Sequence, residues 1–169
     1  MRKTRVWITL SCCLFALAVF AWAQAGRRPG LWEVSTTLTL QQSPMPPGMQ
    51  PPPGSPFGGG STATQVCLTK TMIDKFGAPM SQGRDCQVTN VLINANGASG
   101  DLVCSGRIAG KGTWEATWSN PEHARDKSHL VGTVQMGQRT APIEFTKNST
   151  WVYKSSDCGS VQPPPMPNN

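Results

Sequence analysis

The chain has 169 residues, with 15 Lys and Arg against nine Asp and Glu, and only 14% of it is charged. That is the length of one domain, and it excludes a large multidomain enzyme, a coiled coil and a highly charged disordered chain. Gly 17 and Pro 15 point to turns and loops between short elements.

Residues 1–25 read as a secretory signal peptide. Arg2, Lys3 and Arg5 precede an almost unbroken apolar run from Val6 to Ala21, and Ala21-Trp22-Ala23 or Ala23-Gln24-Ala25 supplies a small-x-small cleavage pattern. The run is shorter than the ~20 residues of a membrane span, so no span is expected after cleavage. Three of the 15 basic residues leave with the signal, so 12 remain against nine acids and the net charge falls from +6 to +3. No basic cluster interleaves with aromatics, so no nucleic-acid partner is expected. The expected location is periplasmic or secreted.

Past the signal, Trp32, Val34, Leu38 and Leu40 share one parity against Glu33, Ser35, Thr37 and Thr39, the pattern of a half-buried strand. Residues 41–60 hold seven Pro and several Gly and read as a flexible loop. A second strand is expected over Ser61–Leu68. The spacing of Leu68, Met72, Ile73 and Phe76 then predicts a helix of about two turns, stopped by Gly77 and Pro79. Further strands are expected over Gln87–Asn94, Ser99–Gly106, Gly112–Ser119, Ser128–Met136 and Thr140–Ser155, the last with a break near Asn148-Ser149. The stretch from Asn120 to His129 reads as a charged, solvated loop. The tail, residues 159–169, reads as disordered. The domain therefore spans 26–158 and is all-β: an antiparallel meander of seven to eight strands forming a barrel, half-barrel or sandwich, with one short helix.

Two of six Cys fall in the signal. Cys67, Cys86, Cys104 and Cys158 remain, and four Cys in an exported chain read as two disulfides with three possible connectivities. Asn96-Gly97 predicts a two-residue hairpin turn. That turn sets Thr89 opposite Cys104 and leaves Cys86 three positions out of register, beyond the ~5.5 Å Cα spacing of a disulfide. The register therefore favours Cys67–Cys86 with Cys104–Cys158 and disfavours Cys67–Cys158 with Cys86–Cys104.

Several segments together resemble a known family. Arg28-Pro29-Gly30-Leu31-Trp32-Glu33 precedes a Thr-rich strand, and a Pro/Met/Gly-rich loop and Val66-Cys67-Leu68-Thr69 follow. Asp85-Cys86-Gln87-Val88, Leu102-Val103-Cys104-Ser105-Gly106 and Asp157-Cys158 complete the set. They resemble a family of exported bacterial proteins catalogued as a domain of unknown function, over about residues 28–158. The resemblance implies a periplasmic or secreted β-rich domain and supplies no catalytic residues. Gly30-Leu31-Trp32 is also similar to the start of lipocalin-like barrels.

Candidate sites follow from residue type. Trp32, Trp114, Trp118 and Trp151 lie on apolar strand faces and either fill the core or line a pocket for an apolar ligand. His123, Asp126 and His129 form His-x-x-Asp-x-x-His, whose imidazoles and carboxylate suit zinc or copper. Met45, Met49 and Met166 offer thioethers to copper. No Gly-x-Ser-x-Gly motif is present, and every Cys of the exported domain is assigned to a disulfide. The expected function is a non-catalytic exported domain without a cofactor, binding a small apolar ligand or an envelope protein. Periplasmic copper or zinc handling is the alternative, and a hydrolase stands behind both.

Overall fold

The computed structural model describes residues 28–45, 60–76 and 85–164. Its elements in chain order are β1 (Gly30–Gln42), β2 (Ser61–Leu68), α1 (Lys70–Phe76), β3 (Cys86–Ile93), β4 (Gly97–Ser105), β5 (Ile108–Asn120), β6 (His123–Met136) and β7 (Arg139–Ser155). The seven strands make one antiparallel sheet in the order β2-β1-β7-β6-β5-β4-β3. The sheet is open, with β2 and β3 at its edges. β3 to β7 form the expected meander, and β1 with β2 extends it beyond β7. The chain passes from one edge to the other through α1. The signal peptide, residues 46–59 of the expected loop and residues 165–169 of the tail lie outside the described residues; residues 41–42 belong to β1. The tail from 159 to 164 carries no strand or helix, and Val161 N–H closes a turn on Cys158 O at 3.0 Å.

One face of the sheet is apolar and the other wet, as the period-two pattern requires. Trp32, Val34, Leu68, Ala124 and Trp151 pack with Ile73 of α1. Thr69 caps that helix, its Oγ1 accepting from Met72 N–H at 3.2 Å. A second cluster joins Ala98, Trp114 and Ala116, and a third joins Leu102, Cys104 and Leu130. Gly112 lies between Leu102 and Leu130 in one cross-strand row. A Cβ there would sit 1.8 Å from the backbone His129 O, so the close approach of β5 to β6 at this point requires glycine. β4 and β6 approach each other across this inner face although β5 separates them.

Two differences from the sequence reading have clear causes. β6 begins at His123, so the expected charged loop is strand. β7 runs unbroken through Asn148-Ser149 because both flanking strands pair with it there. Pro142 is tolerated in β7 because it lies beyond the last β1 pairing, Gln42 with Glu144.

The disulfides are Cys67–Cys158 and Cys86–Cys104, with Cα–Cα separations of 5.5 and 4.0 Å. This overturns the favoured connectivity. The β3–β4 turn pairs Ile93 with Ala98, so its loop is two residues longer on the β3 side than an Asn96-Gly97 turn, which would pair Ala95 with Ala98. A β-bulge between Thr89 and Leu92 then adds one more residue to β3. Those three positions bring Cys86 opposite Cys104. The bridge from Cys67 to Cys158 ties edge strand β2 to the chain just past β7.

Candidate functional site

The sequence His123-Ala124-Arg125-Asp126-Lys127-Ser128-His129 looks like mixed, solvated charge. On a strand it is sorted. Ala124, Asp126 and Ser128 are buried on the inner face, while His123, Arg125 and Lys127 are exposed on the outer face and His129 is partly so. The three proposed metal ligands are therefore separated: His123 and His129 lie on one side of the sheet and Asp126 on the other, because positions three apart on a strand alternate. Among the described residues no group of three or more His, Cys, Asp or Glu could hold a metal. Met45 is partly buried in the turn after β1, and Met49 and Met166 lie outside the described residues.

Inside, Asp126 is 6% exposed. Trp151 Nε1–H donates to its Oδ1 at 2.5 Å, and Ser149 Oγ–H donates to Oδ2 at 3.3 Å. Thr36 Oγ1–H donates in turn to Ser149 Oγ at 3.2 Å. Burial pushes the Asp126 carboxyl above its ordinary range, against the opposing pull of Lys147 and the two hydrogen bonds. Burial likewise pushes the Lys147 ammonium below its ordinary range, and Asp126 pulls it back. In register, Thr36, Ser149 and Asp126 form one row across β1, β7 and β6, with Lys147 opposite Ser128 in the next. The arrangement is a polar seam through the inner face.

The four tryptophans divide. Trp32 and Trp151 are each 1% exposed and Trp114 is 4% exposed. A ring lining a void would keep a water-accessible face, so these three are core. Trp32 donates to Arg28 O at 3.0 Å and meets Tyr153 edge-on at 5.5 Å. Trp118 bridges two core clusters, and its Nε1–H donates to Ala95 O in the β3–β4 turn at 2.7 Å.

A recess of about 670 Å³ lies at the β5–β6 hairpin and is bordered by Asn96 of the β3–β4 turn. It is lined by Thr117, Ser119, His123, Arg125 and Thr150 of the outer face, with Asn120, Trp118 and Ala124. A register shift between Trp118 and Asn120 loosens the hairpin there. Among the described residues no Asp or Glu lines it. A smaller recess of about 270 Å³ follows along β6, lined by Thr113, Glu115, Lys127, His129 and Thr146.

The family model described as a protein of unknown function, DUF3617, matches residues 27–158. The chain belongs to this family. The DUF3617 match ends at Cys158, where the long disulfide closes, and begins beside Arg28, which pairs with Glu122 at 2.9 Å and stacks over Tyr153. It thus contains the whole sheet. No curated protein and no solved structure matches the chain.

The sequence reading of this DUF3617 domain missed Lys147 and Ser149 of the seam and Arg125 of the recess. Lys147 and Ser149 share parity with Ile143, Phe145 and Trp151, and that phase was the available signal. Arg125 was hidden by the adjacent Asp126, which folding turns inward.

Proposed function

We propose that this chain is an exported, non-catalytic binding domain whose ligand seat is the recess at the β5–β6 hairpin. The observation that carries this is the contrast between the two faces. The inner face is filled by Trp32, Trp114 and Trp151, while the outer face offers a recess within the ~300–1,000 Å³ range of small-molecule sites. The expected apolar ligand accordingly gives way to a polar one. Export is supported by two disulfides, which persist in oxidising compartments, and by the leader pattern of residues 1–25. The binding role is supported by the recess chemistry: hydroxyls, amides and two basic side chains, with no carboxylate to pair with them as acid or nucleophile.

Native mass spectrometry of the protein recovered from the periplasm of its own host tests the reading. A co-purifying small molecule of defined mass, lost on unfolding, is the expected result. Recovery of the chain in the cytosol with reduced thiols would overturn it.

A further inference from the structure

The outer face of β6 carries His123, Arg125, Lys127 and His129 at alternate positions. Acids answer the lower half of this ladder. Glu115 is the cross-strand partner of Lys127, and Glu144 Oε1 lies 3.0 Å from His129 Nε2. The upper half has no such answer. The cross-strand neighbours of Arg125 are Thr117 and Thr150, and Arg125 enters none of the ion pairs among the described residues. Glu122, the acid nearest in the turn, is held by Arg28 at 2.9 Å. The unanswered half coincides with the larger recess.

We infer that this recess binds a small anionic sugar, a hydroxylated ring carrying one carboxylate or phosphate. The inference rests on the reading of the recess as the binding seat. Arg125 presents a planar fork of donors suited to an oxyanion. His123 adds a ring N–H in either tautomer. Thr117, Ser119 and Thr150 each donate and accept, as the hydroxyls of a polyol require, and Asn120 keeps its amide N–H groups while its Oδ1 accepts from Glu122 N–H at 2.8 Å. With no acid in the lining, an anion meets attraction without a repelling partner.

The test titrates the exported, isotope-labelled chain with glucuronate, glucose 6-phosphate, inorganic phosphate and glucose, following backbone amide signals. Glucuronate or glucose 6-phosphate should shift Thr117, Ser119, Arg125 and Thr150 saturably, and the tighter of the two assigns carboxylate or phosphate. Glucose and inorganic phosphate should bind at least tenfold more weakly. Arg125→Gln should weaken the anionic sugar about tenfold or more, whereas Lys111→Gln, on the same face outside the recess, should not. The inference fails if neither anionic sugar moves these signals, if glucose binds equally, or if Arg125→Gln binds like the wild type. A neutral or apolar ligand found by native mass spectrometry would sink this inference and leave the binding-domain reading standing.

Discussion

Asp126 on β6 accepts the indole N–H of Trp151 on β7 at 2.5 Å, within the polar seam that crosses the buried face of the sheet. A carboxylate does not stay buried without partners. Here it has Trp151, Ser149 and the charge of Lys147. Removing one member strands another. Asp126→Ala should therefore destabilise the fold by about 3–5 kcal/mol, because it removes the charge opposing the buried Lys147 ammonium and the acceptor of the buried Trp151 and Ser149 donors. The double change Asp126→Leu with Lys147→Met should recover most of that loss, since apolar side chains of similar size replace both charges. Urea midpoints of the three proteins check this. An Asp126→Ala variant within ~0.5 kcal/mol of wild type, inside the range of ordinary surface substitutions, would show that the seam is not energetically coupled.

The same seam sets a pH dependence. The Asp126 carboxyl is raised above 3.8 chiefly by burial, so the folded state binds its proton more tightly than the unfolded state. Its stabilising contribution is fully present below 3.8 and is lost as pH rises through the folded value. Lys147, lowered from 10.5 by burial, behaves inversely: its contribution is present above 10.5 and lost as pH falls through its folded value. Relative to Asp126→Asn, wild type should lose stability as pH rises from 3.8. Relative to Lys147→Met, it should gain stability as pH approaches 10.5. Chemical denaturation across both windows reads the two slopes, and a slope of opposite sign in either would contradict the assignment.

How far the sequence was readable depends on what each residue was competing with. Trp32, Val34, Trp114 and Ala116 announced their strands because alternation between apolar and polar residues is visible when the inner row is apolar. Asp126, Ser128, Lys147 and Ser149 concealed theirs because the inner row is polar at that level. The period was intact, but charge masked it, so the first part of β6 read as loop and β7 as broken. The recess was hidden for the same reason, since Arg125 and Asp126 look neutralised until the strand sends them to opposite faces. The disulfides failed differently. Hairpin register is set by turn length and bulges, and a single unanticipated bulge moves every downstream pair.

The crosslinks give a direct check. Non-reducing proteolysis should release one peptide pair joining Cys67 to Cys158 and one joining Cys86 to Cys104. The sequence separations are 91 and 18. On the chain-entropy account, removing the long bridge costs about 4–5 kcal/mol and the short one about 3 kcal/mol. Paired Cys→Ser variants compared by urea unfolding should reproduce that order. Equal losses would mean that native-state packing around the bridges, rather than loop closure, sets their worth.

The bulge that aligns Cys86 with Cys104 is itself testable at Asn90. This residue is the only non-glycine with positive φ among the described residues, at 52°, and its Nδ2–H donates to Asp101 Oδ2 at 2.7 Å. Asn tolerates the left-handed region where β-branched residues do not. Asn90→Val should cost about 1–2 kcal/mol, whereas Asn90→Gly should stay close to wild type. Deleting Asn90 removes the extra residue. Continuing the pairing of Leu92 with Ser99 through Val91 then sets Thr89 against Asp101 and Cys86 against Cys104 with no bulge at all. The deletion variant should therefore still form the Cys86–Cys104 bridge, detected by peptide mapping of the exported protein. Inserting one residue after Asn90 should abolish the bridge, because it carries Cys86 past its partner onto the opposite face. A deletion variant with free thiols at both positions would show that the bulge supplies more than register, and that the twist it imposes on the edge strand is needed to close the bond.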